Sequence, residues 1–148
     1  MDSTTGNLPE GDHVATWDEL DERFGVDPRR RRRLRDLRVV LDDLVWPSGS
    51  GRVWIDGSFI TLIDYPEAGR PRDIDVCYEA VLGHDPLNWT DARRQTLWKR
   101  RKVDLMPSYT TTNRFDRTPI LDRFRVDEEG RARGTVVLLN ELDGGQDD

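Results

Sequence analysis

The order of elements written in this chain predicts an α+β domain, a mixed central sheet of about four to five strands flanked by helices. Helical periodicity occupies two N-terminal segments, β-branched runs bounded by Gly and Pro follow, and one further helix separates the second run from the third. A length of 148 residues suits a single hydrophobic core. No repeat of about 20 to 50 residues is present, which excludes solenoids and propellers.

Residues 1–12 are rich in Ser, Thr, Gly, Asp and Pro and predict a flexible tail, followed by one domain over 13–142 and a second tail over 143–148. Thr16 stands before an Asp/Glu-loaded first turn and Gly25 closes the segment, which predicts a short capped helix. Asp27-Pro28 supplies an N-cap and a proline at the first helical position. Leu34, Leu37, Leu41, Leu44 and Val45 then follow at three- and four-residue steps, so a long amphipathic helix is expected to about Trp46. Pro47-Ser48-Gly49-Ser50-Gly51 breaks it, and residues 52–56 have the composition of a strand ended by Gly57-Ser58. A connector over 59–72 leads to a second strand over 73–78, which alternates with period two. Residues 83–88 form a loop, Thr90 opens a polar helix through Arg101, and 103–106 make a third strand stopped by Pro107. Further strands are expected near 124–126 and 134–140, joined by a hairpin at 127–130.

With 23 Lys+Arg against 29 Asp+Glu the net charge is −6, and the cations are nearly all arginines clustered at 29–38 and 93–102. A net acidic chain with local basic patches suits a local phosphate contact better than a general nucleic-acid coat. No apolar stretch approaches the roughly 18 residues of a membrane span, so no membrane partner is expected. The N-terminus lacks the basic and apolar regions of a secretory signal, and Cys77 stands alone. Both features point to the cytoplasm.

Three acidic positions fall on expected strands or at their mouths: Asp73, Asp75 and Asp104. Carboxylates two apart on a strand share a face, repel each other, and call for a compensating cation when partly buried. Mg²⁺ takes oxygen ligands and keeps positions for water and phosphate, so Asp residues plus a nucleoside triphosphate would complete its shell. Gly57 allows close backbone approach at the end of a strand, and Ser58 offers a hydroxyl and an amide to phosphate oxygens.

The chain resembles the polymerase-β-like nucleotidyltransferase superfamily in Val53-Trp54-Ile55-Asp56-Gly57-Ser58-Phe59, in Arg72-Asp73-Ile74-Asp75-Val76, and in Lys102-Val103-Asp104-Leu105-Met106. The likeness spans about residues 34 to 107. Leu8 to His13, Ala15-Thr16-Trp17, Glu22-Arg23-Phe24-Gly25 and the stretch 131–138 further resemble a family of small, largely uncharacterised prokaryotic proteins of this type. The resemblance implies that Asp73 and Asp75 bind two Mg²⁺ ions and that Asp104 binds the ion nearer the acceptor and helps take its proton. It also implies that Gly57 and Ser58 hold the terminal phosphates. Two departures are a connector of 14 residues between Ser58 and Asp73, longer than usual, and the missing helical domain of larger relatives. Arg70 and Arg72, next to the acidic strand, are candidate triphosphate contacts.

The activity so implied transfers a nucleoside monophosphate from a triphosphate to a hydroxyl of a protein or RNA acceptor, in a toxin-antitoxin or defence setting by analogy. The alternative is a non-catalytic binding module of the same fold for a protein or RNA partner. The remaining conspicuous residues read as structural. Asp56 reads as a turn residue before Gly57, the arginines from Arg29 to Arg33 as a solvated helix start, and the five tryptophans as core and interface. Asp104 alone could pair with Arg101 or Lys102. His13 and His84 carry no metal spacing, and the oligomeric state is not legible.

Overall fold

The helices start where their caps dictate. Thr16 and Glu19 form a reciprocal capping box at the head of α1 (Trp17–Phe24), and Gly25 ends it. Asp27 caps α2 (Pro28–Val40) by accepting from the Arg30 amide at 2.8 Å. Thr90 caps α3 (Asp91–Arg101), which stops at Lys102 in the left-handed region, φ 56°. Beyond Val40 the chain winds as a π-helix over Leu41–Val45 and a 3-10 turn over Trp46–Ser48, and Gly49 at φ 94° turns it back toward the sheet. The expected run to about Trp46 is therefore continuous but wider at its end, which keeps both Leu41 and Val45 buried.

The structure is a computed structural model that describes residues 8–56, 58–60, 73–80, 89–109, 120–124 and 133–140. Five strands, β1 (Asp12–Val14), β2 (Arg52–Asp56), β3 (Ile74–Tyr78), β4 (Val103–Pro107) and β5 (Thr135–Leu139), form one mixed sheet in the order β1-β5-β2-β3-β4. The outer pairs β1/β5 and β3/β4 are parallel, and β2 runs antiparallel to both of its neighbours. The fold is the α+β class that the sequence predicts.

Alternation divides the strands into two unequal faces. Val53, Ile55, Ile74, Val76, Val103, Leu105, Val136 and Leu138 pack with Leu20, Phe24, Leu34, Leu37 and Leu41 of the helical layer. Each fully buried aliphatic chain of this kind contributes about 1.5–3 kcal/mol. The opposite face carries a smaller cluster of Trp54, Cys77, Met106 and Val137, against which Ile120 and Leu121 of α4 (Ile120–Phe124) pack.

Three expectations are corrected. Asp12 to Val14 form a strand where no element is legible in the sequence, because their pairing partner lies more than a hundred residues later on β5. Phe124 ends a helix instead of opening a strand. Arg30 is not part of a solvated helix start: it is fully buried, donates to the Phe59 carbonyl at 2.8 Å and lies 5.0 Å over the Phe59 ring. The expected loop at 83–88 and the hairpin at 127–130 lie outside the described residues.

Candidate active site

Register, more than sequence proximity, assembles the acidic residues. Asp56 of β2 is level with Asp75 of β3, and Asp75 is level with Asp104 of β4, so three adjacent strands present carboxylates in one row. By alternation the row lies on the face of Trp54, Cys77 and Met106, away from the main core. Asp12 is level with Thr135 and accepts its hydroxyl at 2.8 Å. The β2/β5 register carried one residue further sets Thr135 beside Asp56, so polar residues cross the whole sheet in one line. Asp73, two residues before Asp75, belongs to the same face.

Each flank of the row has its own cationic or N–H partner. Arg94 of α3 grips Asp104 with two bonds, Nε to Oδ1 at 2.6 Å and Nη2 to Oδ2 at 2.9 Å. Arg133, just before β5, donates to Oδ2 of the buried Asp56 at 2.6 Å. Trp98 donates its indole N–H to Asp73 Oδ2 at 2.7 Å. Arg94 and Trp98 stand four apart on α3 and therefore share the helix flank that faces the sheet. With Asp91, Gln95 and Asp104 they line a cleft of about 410 Å³. Lys102 closes the unit, its ammonium 4.3 Å from the Trp98 ring centre and its carbonyl accepting from the Ile74 amide.

Asp75, at the centre, is the exception. Its carboxyl is pushed up to about 7 by burial first and then by Asp73, Asp104 and Asp56, with Arg133 opposing them. Arg94 is also shifted upward, its guanidinium held protonated above its usual range by the hydrogen bond to Asp104.

Whether Mg²⁺ fits can be judged from this donor set. A desolvated carboxylate with like charges on three sides suits a cation, and Mg²⁺ asks for only one or two protein carboxylates when phosphate and water complete the shell. Asp75 with Asp73 meets that need. A second ion on Asp104 requires Arg94 to let go, and among the described residues no three His, Cys, Asp or Glu side chains close around one metal position.

Asp73, Asp75 and Asp104 are thus brought to one face. Ser58 begins the 3-10 turn Ser58–Ile60 directly after β2 and Gly57, with its backbone alone described. Gly57, Arg70 and Arg72 lie outside the described residues. Asp56, Arg94, Trp98 and Arg133 were not expected to take part. Alternation along β2 sets Asp56 on the face opposite Ile55, a signal present in the sequence, whereas the pairing of Arg133 across 77 residues leaves none.

A family of unknown function, DUF6932, matches residues 1–139. The chain belongs to that family. No curated protein and no solved structure matches it.

Proposed function

We propose that this chain is a Mg²⁺-dependent nucleotidyltransferase of the polymerase-β-like kind, moving a nucleoside monophosphate from a nucleoside triphosphate to a hydroxyl of a protein or RNA acceptor in the cytoplasm. The observation that carries the reading is the row of Asp56, Asp75 and Asp104 on adjacent strands, with Asp73 on the same face and an open cleft beside it. Bound with the triphosphate, Mg²⁺ would neutralise phosphate charge and polarise the α-phosphoryl group. Asp73 and Asp75 would hold it. Arg94 presents a planar fork that matches a phosphate as well as a carboxylate, so an incoming triphosphate competes with Asp104 for it. Released, Asp104 would accept the proton of the attacking hydroxyl as the new P–O bond forms and the bond to the departing pyrophosphate breaks. Gly57 and Ser58 are the phosphate contacts implied by resemblance, and Arg70 and Arg72, next to the acidic strand in sequence, would add their charge to the triphosphate. A toxin-antitoxin or defence setting would bring the acceptor to a chain of this size.

A second reading is favoured by the same arginines. Arg94 and Arg133 already neutralise the flanks of the row, as suits a non-catalytic binding module that needs no metal.

The test is incubation of the full chain with α-labelled ATP, GTP, CTP or UTP, Mg²⁺, and lysate protein and RNA. Label should pass to an acceptor and fall about 100-fold or more in Asp75→Asn. Triphosphate binding that is indifferent to Mg²⁺, with no transfer of label from any nucleotide, would decide for the binding module.

A further inference from the structure

The positive charge of this acidic chain is segregated. Seven arginines against the single Asp36 lie on α2, and five cations against Asp91 lie on α3, so the two helices carry +10 and the remainder −16. Arg30 turns inward and Arg94 faces the acidic row. The two helices are joined by Asp36, which takes Arg33 from its own helix and Arg101 from α3, each at 3.3 Å. Arg29, Arg31, Arg32 and Arg35 are exposed, and no carboxylate pairs with any of them among the described residues.

Stability does not account for this arrangement. The first turn of α2 holds no acidic residue, and arginines there oppose the helix dipole at a cost of about 0.3–1 kcal/mol each at low salt. Arg29 with Arg32 and Arg33, Arg31 with Arg35, and Arg32 with Arg35 add like-charge repulsion at three- and four-residue spacing. A surface that carries such a penalty is suited to a partner that removes it. A lipid surface fits poorly, because a membrane-lying helix needs an exposed apolar stripe. The exposed positions of α2 from Arg29 to Arg38 are all charged, Leu34, Leu37 and Val40 are buried, and Val39 is half-buried.

We propose that the α2/α3 surface binds the phosphodiester backbone of RNA. α3 carries this basic surface on one side and the cleft with Arg94 and Asp104 on the other, so a strand lying across the two helices would run toward the acidic row. The inference deepens the proposed function by naming the acceptor, and as an acceptor site it rests on that reading; the binding itself does not.

The experiment is fluorescence anisotropy of a labelled 20-nucleotide single-stranded RNA with the full-length protein over a salt series. Four to six neutralised phosphates give a slope of log K against log salt of about −3 to −4. Arg29→Gln, Arg32→Gln and Arg35→Gln combined should weaken binding at least about 10-fold, reduce the slope by about 2, and leave the melting temperature unchanged or higher. Asp75→Asn, which stops transfer, should bind RNA as the native chain does, and this separates failure of the surface from failure of the chemistry. Salt-independent binding, an unchanged affinity in the triple variant, or tighter binding to polyglutamate, duplex DNA or phosphatidylserine vesicles than to RNA would overturn the proposal.

Discussion

Asp75 sits where a carboxylate is least welcome as an anion, and its effect on stability has a definite sign. Its pKa is about 7 in the folded chain, raised from the ordinary 3.8. Between those values the folded state keeps a proton that the unfolded state has released, so stability falls as pH rises through that window and levels off above it. Each unit corresponds to about 1.4 kcal/mol, which makes the penalty above neutrality on the order of a few kcal/mol. Asp75→Asn should therefore be more stable than the native chain by that amount at about pH 8 and by little at about pH 4.5. Urea unfolding at both values checks this, and a pH-independent difference would contradict it. Arg30 is the opposite case, a buried cation whose removal harms. Arg30→Met keeps the volume but leaves the Phe59 carbonyl without this donor, and should cost about 1–3 kcal/mol by the same measurement. Arg30 shares helical spacing with Leu34, Leu37 and Leu41, but inside a run of five arginines that spacing does not single it out.

At the scale of elements, local chemistry written in the sequence was a good guide wherever it was self-contained. The caps at Thr16, Asp27 and Thr90 and the strands that hold Asp75 and Asp104 follow from residues a few positions apart. The local sequence makes Asp56 a turn residue before Gly57, whereas it ends β2 and is buried. Its burial beside Arg133 is a matter of register between distant strands. β1 leaves no local signal for a related reason, being three residues long and held by β5 together with Gly134. A Cβ at Gly134 would overlap the Pro9 carbonyl oxygen and stand 2.7 Å from His13 Nε2. Gly134→Ala should thus push β1 away from β5 and cost about 1–3 kcal/mol or more. Hydrogen exchange should quicken at Ala15, whose amide donates to the Val137 carbonyl at 3.0 Å, and stay unchanged on β3; equal protection of that amide in both proteins would refute this.

Over the whole molecule, the sheet separates two tasks. One face binds the helical layer and supplies the main core, which hydrophobic periodicity makes legible. The other holds a small apolar cluster beside the acidic row, and its composition is intelligible only when strands from four parts of the chain are set side by side. Among the described residues the last strand, β5, lies between the first, β1, and β2, and Arg133 reaches Asp56 from its leading edge. A nascent polypeptide leaving the ribosome consequently cannot give Asp56 its Arg133 partner until residue 133 has been made, or zip β1 onto its neighbour until residue 137 has followed. The Asp56 end of the acidic row thus acquires its partner only after the strands that carry Asp75 and Asp104 have been made.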